Sequence, residues 1–190
     1  MAPPDFGHMT PRTRNRLGLI LILLLFTAPL LTAWVLSERG WLPAGKRNYG
    51  TLLQPPRDLA AAGIVDADGQ ALPWKDAEWS WTVFALTGPS CASACLARID
   101  ELRRVRLSLN QNASRVRVVV LGTLPPAALD GLAPVREVRD PTASLAAWRP
   151  TGADEVAVVF ADPHGFLVLS YGVGYDARKL RHDLERVIKS

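Results

Sequence analysis

The sequence predicts an α/β domain, strand–helix–strand followed by strand–strand–helix, carried behind one apolar helix near the N-terminus. Three observations predict it. Residues 17–36 are apolar apart from Gly18, Thr27, Pro29 and Thr32, and hold no charge. Two strand-like runs, 81–86 and 115–121, bracket a stretch whose apolar residues Leu96, Ile99, Leu102, Val105 and Leu109 recur every three or four positions, the period of a half-buried helix. The only two cysteines, Cys91 and Cys95, lie where the first of those strands meets that helix.

The N-terminal elements come first. Residues 1–16 form a basic tail with Arg12, Arg14 and Arg16. About twenty residues at ~1.5 Å each then span ~30 Å, the thickness of a bilayer core, so 17–36 reads as a membrane anchor. A signal peptide has the same basic-then-apolar order. Its apolar region runs only ~7–15 residues and ends at small residues, whereas this run is longer and Val35-Leu-Ser37 is a weak cleavage site. The arginines ahead of the span place the N-terminus in the cytoplasm. The domain is then expected on the outer face of the inner membrane, in the periplasm of a Gram-negative cell. One cysteine pair and no stray thiol suits that oxidising side. Residues 37–57, with Gly40, Pro43, Gly45, Gly50, Pro55 and Pro56, read as a linker, which leaves 58–190 for the domain.

Within the domain, residues 64–72 read as a hairpin turning at Asp68-Gly69. Residues 81–86 are an uncharged buried strand; the helix runs to about Leu109, where Asn110-Gln-Asn112 ends it. Strand, helix and strand within ~40 residues make a right-handed βαβ unit with parallel strands. A looser segment follows Pro125 and Pro126, with a short strand at 135–138 and a short helix at 142–148 capped by Thr142. Residues 155–160 form the next strand. Asp162-Pro-His-Gly165 has the turn chemistry of Pro second and Gly last, and 166–171 returns antiparallel. Asp176 caps a final helix over 177–189 with Leu180, Leu184, Val187 and Ile188 inward.

Composition excludes several classes. The net charge of +4 owes much to the tail. Arg98, Arg103, Arg104 and Arg106 interleave with Asp100 and Glu101 at helix-neighbour spacing, as on a solvated face, and no aromatic residues alternate with them as nucleic-acid binding would require. There is no zinc-type spacing, no phosphate-binding glycine loop and no Ser-His-Asp set. A peroxidase would need Thr three residues before its cysteine, and Gly88 stands there. His8 lies in the tail, His164 at a turn tip and His182 on the polar side of the last helix. Cys91 and Cys95 remain as the chemistry. At spacing i, i+4 they share a helix face, and free N–H groups at a helix start stabilise thiolates. Such a pair can form a disulfide, bind a soft metal, or do both in turn. A purely structural staple is the weaker reading, because so short a loop gains little chain entropy.

This order, with a cysteine pair at the first strand–helix junction, resembles the thioredoxin fold. Three residues between the cysteines instead of two, the anchor, the Asp66-Ala-Asp-Gly69 hairpin and Asp162-Pro-His-Gly165 are together similar to the Sco/SenC family. Its members are anchored proteins that help assemble the binuclear copper centre of cytochrome c oxidase. The Asn48-Tyr-Gly-Thr-Leu-Leu53 entry and compact length resemble a divergent, membrane-anchored bacterial branch. The resemblance covers roughly 58–190. It implies a thioredoxin-like fold, Cys91 and Cys95 as the redox-active residues and as Cu(I) ligands, and cytochrome c oxidase subunit two or another copper chaperone as partner. It implies a metallochaperone rather than a turnover enzyme.

The sequence departs from that family at two places. The family's copper-binding histidine falls at Asp154, whose carboxylate is a hard ligand and a poor substitute for Cu(II)-binding imidazole. Leu96 replaces the family's proline after the second cysteine. Position 154 reads as a loop site before a strand, open to substitution by histidine. The alternatives are a general periplasmic thiol–disulfide oxidoreductase, against which three intervening residues and the distance of Pro150 from the next strand count, and a non-catalytic docking domain.

Overall fold

The computed structural model describes residues 11–38, 48–76 and 78–189. It divides into two units, one up to Lys46 and one from Arg47 onward. In the first, helix α1 (Pro11–Glu38) contains the whole apolar run. Its stretch Asn15–Glu38 is long and apolar enough to cross a membrane. Thr27 and Thr32 turn their hydroxyls back onto the carbonyls of Leu23 and Ala28, which satisfies them inside the helix. His8 and residues 39–47 of the expected linker lie outside the described residues.

The second unit is a mixed sheet of seven strands: β1 (Thr51–Asp58), β2 (Val65–Asp66), β3 (Trp81–Thr87), β4 (Val116–Leu121), β5 (Arg136–Arg139), β6 (Val156–Ala161) and β7 (Phe166–Tyr171). Their order across the sheet is β1-β7-β6-β3-β4-β5-β2. β3, β4 and β5 run parallel, and β6 and β7 antiparallel to their neighbours. Three helices join them: α2 (Ser93–Leu107), α3 (Pro126–Gly131) and α4 (Ala177–Lys189).

The central strands carry near-continuous apolar runs because both faces are covered. Alternation sorts them: Val83 and Ala85 of β3 face a core shared with Ile99 and Leu102 of α2 and Leu180, Leu184 and Ile188 of α4. Phe84 and Leu86 face the opposite side, packed with Leu59, Ile64, Leu145 and Leu167. The predicted strand–helix–strand and strand–strand–helix units are therefore present. The hairpin is present too: Gly69, at φ 81°, donates to the carbonyl of Asp66, and Asp66 Oδ1 accepts from Asp68 and Gln70.

Four local expectations need correction. The 37–57 linker is shorter than expected, because 51–58 is the edge strand β1, paired with β7 across a bulge between Leu52 and Arg57. Pro55 and Pro56 are compatible with a strand there because an edge can do without their missing N–H groups. Thr142 caps no helix; its hydroxyl donates to the carbonyl of Ala62, and Asp140 accepts from the amide of Leu145 instead. Only a single 3-10 turn forms at Ala146–Trp148. Residues 126–131, expected to be irregular, make α3. Arg98 is not simply solvated: it pairs with Glu101 at 2.5 Å, bonds the carbonyl of Tyr175 and stacks 4.0 Å from that ring, tying α2 to the approach to α4.

Candidate functional site

The site grows out of the end of β3. After Thr87 the chain turns through Gly88, Pro89 and Ser90 into Cys91, and α2 starts two residues later. A second loop, 150–155, lies against this turn. The Gly88 amide donates to the carbonyl of Glu155 at 3.0 Å and the Asp154 amide to that of Ser90 at 3.0 Å. The approach is so close that a Cβ on Gly88 would stand 2.0 Å from the carbonyl oxygen of Gly152, which explains glycine at 88. Arg149 closes the base, its Nε and Nη2 donating to the carbonyl of Thr87 at 3.2 and 3.1 Å.

Cys91 and Cys95 are joined as a disulfide, with Cα atoms 5.2 Å apart. The two sulfurs have unlike surroundings. Cys95, in the first turn of α2, is fully buried beside Ile99. Cys91 precedes the helix and is half-buried, packed on the edge of the same core. Beside the turn opens a cleft of about 530 Å³, lined by Pro89, Ser90, Gly122, Arg139, Asp140 and Arg149 among others. It sits beyond the carboxyl ends of the parallel strands β3, β4 and β5, the usual place for binding in such sheets.

Asp154 is where sequence and structure meet least comfortably. Position 154 does lie beside the cysteines, as the family spacing implied. It is not a loop position open to substitution. The residue before α2, Ala92, offers no side-chain cap, and Asp154 supplies one from 60 residues away. Its Oδ1 accepts from the amides of Ala92 at 2.7 Å and Cys95 at 2.8 Å, and its Oδ2 from Ala94 at 3.0 Å. The amide of Cys95 foremost, with those of Ala92 and Ala94, holds its carboxyl below the usual range. A histidine there would forfeit most of these bonds, so the expectation that the change is harmless does not hold. The expectation of free N–H groups for Cys91 fails in large part for the same reason: the amides of Ala92, Ala94 and Cys95 at the start of α2 already have Asp154 as acceptor. A trans cap of this kind leaves no local signature, because Asp154 and its three donors are neighbours only after the sheet has formed.

The histidines stay apart. His164 sits at the β6–β7 turn with its ring edge-on to Trp79, centroids 5.1 Å apart, and its Nδ1 4.0 Å from Asp162. His182 lies on α4, 3.7 Å from Asp183 and against Tyr49. Among the described residues, no group of three His, Cys, Asp or Glu side chains is placed to hold a metal ion.

Far from the cysteines, a buried carboxylate was missed by sequence reasoning. Asp183, 1% exposed on α4, accepts through Oδ2 from the amides of Tyr49 and Gly50 at 2.6 and 3.0 Å and from the Tyr171 hydroxyl at 2.6 Å. Burial, then the bond and charge of Asp183, push the Tyr171 phenol well above its ordinary range. The segment entering β1 is thereby fastened to the last helix.

A mixed sheet with a cysteine pair where a parallel strand enters its helix defines a thioredoxin-like protein. Residues 81–190, more than half of the chain, match the family described as transmembrane-like, thioredoxin-like, C-terminal domain, and the chain belongs to that family. No curated protein matches it in sequence. Among solved structures it is similar to a copper-bound ScoI of Arabidopsis thaliana: 13% identity, 74% of this chain and 98% of that one covered, TM-score 0.49. It is similar to yeast Sco1 with copper bound, at 13% identity, 76% and 90% coverage and TM-score 0.47. It is also similar to the exposed lipoprotein thioredoxin Etrx1 of Streptococcus pneumoniae, at 17% identity, 65% and 96% coverage and TM-score 0.44.

Proposed function

We propose that this is a membrane-anchored thioredoxin-like protein on the periplasmic side of the inner membrane, which assists cytochrome c oxidase assembly through Cys91 and Cys95. It does so by delivering Cu(I) or by reducing the disulfide of the oxidase cysteines that receive copper, with oxidase subunit two or another copper chaperone as partner. One observation carries the reading: the chain's only two cysteines are paired at the start of α2, one half-exposed and one buried. That asymmetry suits thiol–disulfide exchange, in which the reachable sulfur attacks and the buried one resolves. The sequence resemblance to Sco/SenC supplies the partner.

Copper is cargo in this account. Two reduced sulfurs are soft donors suited to Cu(I), and binding requires the open pair. Cu(II) wants imidazole or mixed N,O ligands, and the carboxylate at the start of α2, Asp154, is already committed to three amides. The same commitment leaves Cu(I) carriage and disulfide reduction to the two sulfurs alone.

The test is a Cu(I) titration of the detergent-solubilised, reduced full chain, read by native mass spectrometry. One Cu(I) per chain is expected, abolished by Cys91→Ser or Cys95→Ser, with no retained Cu(II). A parent that keeps no Cu(I) but reduces a disulfide peptide from the oxidase copper site removes the copper arm and leaves reduction. A parent that does neither removes the proposal.

A further inference from the structure

We infer that Asp154 is a positioning residue that biases the Cys91–Cys95 pair toward the disulfide, and so makes the reduced pair an electron donor to its partner. The inference rests on the redox reading above and adds the residue that sets the reducing bias of the pair.

The geometry is specific. The sulfurs flank the first turn of α2, where backbone N–H groups have no partner within the helix. In a site with those groups free, they and the helix dipole stabilise negative charge on a nearby sulfur. Here the Asp154 carboxylate holds the amide next to Cys91, that of Ala92, and the amide of Cys95 itself, together with that of Ala94. Asp154 is fixed in place by its own amide bond to Ser90 and stands at φ 59°, a backbone conformation uncommon for aspartate. A carboxylate that accepts three backbone N–H bonds and has no acceptor for a proton of its own sits there as the anion.

The consequences for the two redox states are opposite. A disulfide carries no charge and needs no donor from the helix. The open pair carries negative charge on sulfur when it attacks a disulfide or holds Cu(I). The amides of Ala92, Ala94 and Cys95, which would otherwise be free to stabilise it, are already held by a carboxylate. Asp154 therefore raises the free energy of the open pair in its thiolate form and leaves the closed one unaffected. A pair whose reduced form is destabilised gives up electrons readily; one whose reduced form is stabilised acts as an oxidant.

The exchange balances without an outside oxidant. The Cys91 sulfur attacks a sulfur of the partner's disulfide; that S–S bond breaks, a mixed disulfide forms, and the partner's other sulfur leaves and takes up a proton. Cys95 then attacks the Cys91 sulfur, closing the intramolecular disulfide and releasing the partner's second thiol. Two electrons and two protons pass to the partner. An upstream protein dithiol on the same side of the membrane reopens the pair.

The test equilibrates the detergent-solubilised full chain with mixtures of reduced and oxidised glutathione at fixed pH, reading the oxidised fraction by alkylation and mass. Asp154→Asn keeps a neutral acceptor on the amides, and Asp154→Ser gives a shorter neutral cap should the first variant fold poorly. Either should shift the equilibrium about tenfold toward the open pair, about 30 mV for a two-electron couple. Asp176→Asn, which alters the corresponding cap of α4 away from the cysteines, should shift nothing. Variants that lose thermal stability but keep the parent's midpoint, or a shift toward the disulfide, overturn the inference and leave the redox reading intact. A parent pair that no dithiol can open overturns both.

Discussion

Cys91 and Cys95 differ by one helical turn, and that turn decides their chemistry. Cys95 is held inside the core by Ile99 and Leu102, while Cys91 stays on the loop that the 150–155 segment supports. After reduction, timed alkylation of the full chain should label Cys91 first, with Cys95 slower by at least about tenfold, since reactivity follows access. Equal, slow labelling of both would show that neither sulfur can act as the attacking thiol. The pair and its position at the strand–helix junction were legible in the sequence, because cysteine identity and hydrophobic period are local properties. The role of Asp154 was not. Family spacing put it at the right place, but its bonds run to Ala92, Ala94 and Cys95, and no pattern around 154 announces partners so distant.

At the scale of elements, the last helix does more than cover the sheet. Its inner residues Leu180, Leu184 and Ile188 were readable from their spacing. Asp183, one position from Leu184, reads as a solvent residue in any helical-wheel argument, yet it is buried and collects three donors. Removing it with Asp183→Ala leaves two amides and a phenol without their acceptor and should lower stability by about 3 kcal/mol. Tyr171→Phe removes one donor and leaves the others bonded, so its cost should be nearer about 1 kcal/mol. Urea unfolding followed by tryptophan fluorescence measures both. Equal losses would show that the carboxylate is not the centre of the cluster. Strand β1 escaped sequence reading for a related reason: Pro55 and Pro56 argue against a strand until one knows that it lies at the edge of the sheet, beside β7.

For the whole molecule, the sequence carried the architecture because its elements agree with one another. An uncharged run of about twenty residues allows only a few readings. The strand and helix periods alternate in the order the sheet requires. The partner and the cargo rest on the resemblance and on the chemistry of two sulfurs, and they are open to a single decisive measurement. Replacing the chain in its host with the Cys91→Ser, Cys95→Ser variant keeps the anchor and the fold while removing both sulfurs. Cytochrome c oxidase activity of the membranes, normalised to the amount of the variant present, should fall to less than about a tenth of the parent's. Full oxidase activity with the variant stably in the membrane would contradict the account, because no other cysteine in the chain could take over.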